Sequence, residues 1–184
     1  MIIEPIHHKL FEVRDVLPAE HVEKLLALEW LNLPCEPPPK QGCMIRKKIK
    51  DDEVELLSQT NSLLHESCKQ IGEGLNFQFD HTFTLWWLDL PGMTSGVHID
   101  STNTPAMQLY WVAPDTNYGT TFYNKRTNKP QLADIIKEFK FIPNTGYITD
   151  LTGSTSDKLY HGMLNPVPHD SFRISSYTQM MKYE

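Results

Sequence analysis

From residue 76 onward the chain is a succession of short segments rich in aromatic and β-branched residues. They read "NFQFDHTFTLWWLDL", "SGVHID", "AMQLYWVA", "GTTFYN", "EFKFI", "GYITDL", "KLYHGML" and "FRISSYTQM". Turn-forming residues punctuate them: Pro91-Gly92, Pro114-Asp115, Asn144-Thr145-Gly146 and Asn165-Pro166. Aromatic and β-branched residues suit a pleated, half-buried surface, so each segment is expected to be a strand. About eight short strands in succession fit an antiparallel barrel or a double-sheet jelly roll.

The first 74 residues differ. Over 18–33, Val22, Leu25, Leu26, Leu28 and Trp30 fall roughly on one face, which predicts a helix begun near Pro18. The prolines of "LPCEPPPKQG" (33–42) then break the chain. A second helix is expected over 51–71, with Val54, Leu57, Leu64 and Cys68 at near-helical spacing and Gly72 as its stop. Residues 125–134 are expected to form a loop or a short helix. No linker separates two folding units in a chain of 184 residues, so one α+β domain is expected, helical over 1–74 and β over 75–184.

Composition narrows the function classes. The net charge is −6, which argues against a nucleic-acid partner. The one dense basic run, "IRKKIK" (45–50), is expected to be a solvated turn or strand edge. Cys35, Cys43 and Cys68 form neither a disulfide framework nor a metal knuckle, which fits reduced thiols in the cytoplasm. No basic group or His adjoins them to activate a thiol. No secretory signal and no apolar run near 20 residues is present, so no membrane partner is expected.

The residues with chemistry lie in the strand-rich part. In "VHID", His98 and Asp100 are two apart, and on a strand such residues share a face. Both could reach one metal ion. Of His81, His161 and His169 as third ligand, His161 is favoured, because a strand fixes its direction whereas His169 lies in the turn "PVPHDSF". Two His and one carboxylate leave three positions open, the arrangement of non-haem Fe(II) oxygen chemistry. Arg173 and Ser175 also share a face, and an antiparallel return after His161 would bring Arg173 beside the metal. A guanidinium there would bind a carboxylate, and no protein acid is assigned to it. His7, His8, His21 and His65 are expected at the surface.

The pattern H-x-D at 98–100, His at 161 and R-x-S at 173–175 resembles that of the 2-oxoglutarate and Fe(II)-dependent dioxygenases. The flanks "LDLPGMTSGVHID", "QLYWVAPDTNYGTTFYN" and "FIPNTGYITD" resemble the family's approach to H-x-D, its Gly-containing turn and the strand before the distal His. The resemblance covers about residues 75–180; the N-terminal helices are similar to the helical support of prolyl-hydroxylase-like members. It implies an α+β fold with a double-stranded β-helix (jelly roll) core. It implies His98, Asp100 and His161 as Fe(II) ligands. It implies Arg173 with Ser175 as anchor for the far carboxylate of 2-oxoglutarate, with Tyr110 favoured over Gln108 as a further contact. Trp86, Trp87 and Tyr123 are weighed as lining of the substrate entrance against plain core packing. Two positions depart from the pattern: Arg173 stands where collagen-type members often carry Lys, and Tyr118-Gly119 stands for Gly-Gly.

The activity implied is oxidative decarboxylation of 2-oxoglutarate coupled to hydroxylation of an unactivated C–H bond, with ascorbate as an optional reductant. A peptide or protein side chain such as proline is the first substrate expectation and an amino acid or other small metabolite the second. Outside this activity stand an iron enzyme without 2-oxoglutarate and a non-catalytic metal-binding β-barrel module. Nothing in the sequence bears on oligomeric state.

Overall fold

A computed structural model of the chain describes residues 1–36, 45–125 and 132–183. Two antiparallel sheets hold the strands. Numbered in chain order, these are β1 (Ile2–His7), β2 (Leu10–Arg14), β3 (Arg46–Ile49), β4 (His81–Asp89), β5 (Ser95–His98), β6 (Ala106–Val112), β7 (Thr121–Tyr123), β8 (Ile135–Glu138), β9 (Thr145–Thr149), β10 (Tyr160–Met163) and β11 (Arg173–Met181). The seven-stranded sheet runs β1-β2-β9-β6-β11-β4-β3 and the four-stranded sheet β5-β10-β7-β8.

Two-residue alternation sorts the large sheet into two faces. From β4, β6 and β11, Trp86, Leu88, Met107, Leu109, Trp111, Ile174 and Met180 join one apolar core. Helix α1 (Ala19–Leu26) contributes Val22 and Leu25 to it, and α2 (Glu55–Leu75) contributes Leu57, Leu64, Cys68 and Ile71. Trp30, Trp86 and Trp111 stack in series at 5.8 and 5.7 Å between ring centroids. Their offset contact adds to the burial of three large apolar bodies. Each of two Trp N–H groups finds an acceptor, Trp86 on Asn61 and Trp111 on Ser176. The opposite face of the sheet carries a smaller cluster around Tyr110, Phe122, Phe139, Phe141 and Tyr147. No described helix is long and apolar enough to cross a membrane.

Several expectations are corrected here. Residues 1–74 are not purely helical: β1, β2 and β3 pair into the large sheet. The first helix stops at Leu26, and Trp30–Asn32 form a separate 3₁₀ turn that swings Trp30 into the core. The second helix begins at Glu55, after a 3₁₀ turn over Asp51–Glu53, and runs through Gly72 to Leu75. It is closed by Asn76 in the left-handed region (φ 58°), which Asn tolerates better than most residues. "EFKFI" is no strand beyond Glu138. Phe139 and Phe141 are instead buried in the smaller cluster, with their N–H groups on the carbonyls of Thr120 and Thr116. The "IRKKIK" run forms the edge strand β3, as the solvated-edge expectation allowed. Of the proline break, residues 37–42 lie outside the described residues, as do Cys43 and positions 126–131 of the expected loop. The described end of that loop is a 3₁₀ turn over Leu132–Asp134.

At Gly146, where β9 pairs with β6, the backbones come too close for a side chain. A Cβ there would stand 1.8 Å from the carbonyl oxygen of Gln108 and 3.0 Å from Leu109 Cα. Backbone cannot move aside as a side-chain tip can. Gly146→Ala is therefore expected to cost at least about 2 kcal/mol, read as a lowered urea midpoint. A variant with an unchanged midpoint would show that the two strands can part.

Candidate functional site

His98 and His161 meet because their strands are neighbours. β5 and β10 pair antiparallel with His161 directly opposite His98. The strands come close there: a Cβ on Gly162 would lie 2.8 Å from the carbonyl oxygen of Ser95. The two imidazoles face one another with centroids 4.5 Å apart. Asp100 lies two residues beyond His98, just past the end of β5, so the shared strand face is only part of the reason it reaches the pair. Its Oδ1 is 3.7 Å from Nε2 of both His98 and His161. One ligand atom from each of the three lies within 4.8 Å of the others.

The surroundings aim these atoms. His98 Nδ1 is 2.7 Å from the carbonyl oxygen of Gly96 and His161 Nδ1 is 3.5 Å from that of Leu159. A carbonyl only accepts, so each Nδ1 carries the proton and each Nε2 presents a lone pair toward Asp100. Burial pushes His161 below the usual histidine range; Asp100 opposes that shift and His98 adds to it. Phe122 stacks on His161 at 5.1 Å and fixes its ring plane. Tyr177 donates its hydroxyl to the second oxygen of Asp100 at 3.2 Å. Burial and the Asp100 charge both push that hydroxyl upward, so it remains a donor. Lys158, nearly buried, donates to the carbonyls of Asp100 and Thr102 at 3.5 and 2.5 Å, tying the segment after β5 to the approach of β10.

This donor set fits a divalent metal ion. Three donors on one ion at about 2.1 Å would stand roughly 3 Å apart, so donors now 3.7 Å apart at Asp100 and all within 4.8 Å of one another would draw in by up to about 2 Å around it. Neutral imidazoles and a carboxylate from one side leave the opposite side open, which suits Fe(II) among other ions.

The triad opens into a cavity of about 250 Å³ between the two sheets. Leu85 and Trp87 of β4, Gln108 of β6, Tyr147 of β9 and Tyr177 and Gln179 of β11 line it from the large sheet, together with Arg46 of β3. Ser95, His98, His161 and Met163 line it from the small one. Thr120 also reaches the wall, and its hydroxyl is buried with no partner among the described residues.

Arg173, Ser175 and Tyr110 are not on that wall. Arg173 is 1% exposed and, against expectation, has a protein acid: Nε and Nη2 donate to Asp89 Oδ2 at 3.0 and 2.9 Å, and Nη1 to the carbonyl of Tyr118 at 3.1 Å. Burial lowers its pKa from the ordinary arginine value and the Asp89 carboxylate opposes this. Ser175 Oγ accepts from Gln108 at 3.4 Å, and Gln108 in turn accepts from Tyr147. Tyr110, fully buried, accepts from the Thr120 N–H at 3.1 Å and stacks on Phe141. Of the pair weighed for β6, Gln108 is the one that reaches the cavity.

The other sequence candidates fall elsewhere. His81 stacks on Tyr183, and His169 is exposed in its turn. Trp86 is in the apolar core, Tyr123 is buried opposite Tyr160, and Trp87 lines the cavity. His21 and His65, expected at the surface, are part-covered and bond to Thr60 and Thr82. Burial pushes the Cys68 thiol up to about 12, leaving it an inert core residue. Tyr177, Lys158, Thr120 and Tyr147 were not singled out from sequence. Tyr177 shares strand parity with Arg173 and Ser175, and that is the signal that could have found it.

Neither protein-family models nor curated proteins match the sequence. Solved structures do. A prolyl-4-hydroxylase from Pseudomonas putida superposes with TM-score 0.63 at 15% identity, covering 96% of this chain and 94% of that one. HygX from Streptomyces hygroscopicus, with nickel, 2-oxoglutarate and hygromycin B bound, gives 0.64 at 8%, covering 95% and 84%. An oxidoreductase of the 2OG-Fe(II) oxygenase family from Burkholderia pseudomallei gives 0.56 at 13%, covering 93% and 83%. The chain has the fold of these oxygenases.

Tyr177→Phe removes the bond to Asp100 and keeps the ring. It is expected to weaken divalent-metal affinity about 10- to 100-fold, measured by competition with a chelator, with little change in the unfolding midpoint. Unchanged metal affinity would show that Asp100 is aimed by other means.

Proposed function

We propose that the chain is a 2-oxoglutarate- and Fe(II)-dependent oxygenase on a double-stranded β-helix core, in the prolyl-hydroxylase-like branch. The observation that carries this reading is the convergence of His98, Asp100 and His161 on one point of a cavity between two sheets. Both imidazoles turn an unprotonated nitrogen to that point. Iron bound there, with 2-oxoglutarate, supplies the O2-dependent oxidation that hydroxylates an unactivated C–H bond and releases succinate and carbon dioxide.

The chain's own part is positioning. His98, Asp100 and His161 hold the ion, and Tyr177 keeps Asp100 from rotating. Gln108, Thr120 and Tyr147 supply polar atoms on the wall for the co-substrate. Its far carboxylate goes toward the basic end of the cavity, behind whose wall Arg173, Ser175 and Tyr110 are packed. The Trp87 ring forms part of the cavity wall, and Phe122 packs against His161. A cavity of about 250 Å³ has room for the co-substrate and one inserted side chain, and is small beside pockets that engulf whole ligands. This favours a peptide or protein side chain such as proline, with the rest of the substrate outside. Hydroxylation of a small molecule is the second reading, supported by the likeness to HygX, whose structure holds hygromycin B. The buried, inert Cys68 thiol fits a cytoplasmic setting.

The test is succinate formation from 2-oxoglutarate with Fe(II), O2 and ascorbate, with proline-containing peptides and amino acids as substrates. The expected outcome is Fe(II)-dependent succinate that rises with substrate and is lost in His161→Ala. Absence of both succinate and 2-oxoglutarate binding would sink the enzyme reading in favour of a metal-binding module.

A further inference from the structure

Asp89 is fully buried and is shared by two guanidinium groups. In the register of the large sheet, Arg46 of β3 and Arg173 of β11 both stand directly opposite it. Arg46 donates from Nε to Oδ1 at 2.5 Å and from Nη2 to Oδ2 at 2.9 Å. Arg173 donates twice to Oδ2. No second carboxylate bonds either guanidinium among the described residues; the remaining bond of Arg173 is to the neutral carbonyl of Tyr118.

Charge counting then decides what the cluster can do. Arg173 with Asp89 alone is a neutral pair, a poor attractor of an anion. Arg46 turns it into a row of two positive charges and one negative, a surplus of one. A surplus charge in a mostly buried row is costly unless an anion joins it. Of the three residues only Arg46 reaches the cavity wall; its side chain is 26% exposed and lies over the Trp87 ring at 5.3 Å. Its Nη1 has no protein partner among the described residues. Along β11, Arg173 is four residues from Tyr177, the residue that holds Asp100, or about 13 Å of strand. The surplus charge is thus displaced along the wall from the metal donors. A ligand with one chelating end and one anionic end requires that layout.

We propose that Arg46, Asp89 and Arg173 form a single anion-receiving unit, and that Arg46 is its cavity-facing member, the one that receives the far carboxylate of 2-oxoglutarate. This rests on the oxygenase reading above. Asp89 is a positioning residue: it holds both guanidinium groups in one row and cancels one of their charges.

The experiment compares two ligands on the Mn(II)-loaded protein by calorimetry without O2. One is 2-oxoglutarate; the other is 2-oxopentanoate, which chelates in the same way and lacks the far carboxylate. For wild type, 2-oxoglutarate is expected to bind more tightly. Arg46→Gln leaves Asp89 paired with Arg173, so no carboxylate is orphaned. It is expected to lower 2-oxoglutarate affinity about ten-fold or more and to leave 2-oxopentanoate unchanged, which also reports that the variant is folded and metal-loaded. Arg46→Lys, with the charge but not the fork, is expected to fall between. An Arg46→Gln protein that keeps the wild-type preference would overturn this inference and leave the oxygenase reading standing. Wild type that binds neither oxoacid would overturn both.

Discussion

The site depends on the strict alternation of β11. Even-numbered residues of this central strand, from Ile174 to Met180, turn to the helices and the tryptophan stack, while Arg173, Ser175, Tyr177 and Gln179 turn to the other side. A slip of one residue would exchange the two sets. It would send a guanidinium into the apolar core and an isoleucine and a methionine into the cavity. The register is pinned on both sides. β11 pairs with β4 along its full nine residues and with β6 over most of them. The Trp111–Ser176 and Thr84–Thr178 bonds fix the polar positions of the outer face.

From that alternation follows a division of labour between the sheets. The small sheet brings the two histidines of the candidate metal site into register. The large sheet supplies the facing wall of the cavity and, at one end of it, the Arg–Asp–Arg row. Tyr177 links the large sheet to the candidate metal site, since it stands on β11 and reaches Asp100. The likeness to solved oxygenases establishes the fold. The chemistry is argued from this chain's own donors, from the carbonyls that set their tautomers and from the charge of the Arg–Asp–Arg row.

Much of this was legible in the sequence, because it rests on local pattern. Aromatic and β-branched runs marked the strands after residue 75: five of the eight expected segments enclose a strand, and β9 and β11 overrun two more by one residue each. His98, Asp100 and His161 stood out by residue type and position. The rest depended on contacts that local pattern does not encode. β1 and β2 are short; β1 is an edge strand held only by β2, and β2 owes its place to pairing with β9 about 135 residues later. β3 is four residues of mostly charged sequence at a sheet edge, where solvation and pairing look alike. Asp89 reads as an ordinary residue before a Pro-Gly turn. Its meaning comes from partners 43 residues earlier and 84 later. Helix ends missed by a few residues because Trp30 and Asn76 answer to packing and capping rather than to periodicity.

Whether His98, Asp100 and His161 form one metal site whose open face takes a 2-oxoacid is decided by cobalt(II) titration of the metal-free protein, read by visible absorption. Expected are saturation at one cobalt per chain, a spectrum altered by 2-oxoglutarate, and loss of both effects in His161→Ala. A protein whose spectrum stays that of cobalt in water, or a His161→Ala variant that binds cobalt and 2-oxoglutarate like wild type, would contradict it.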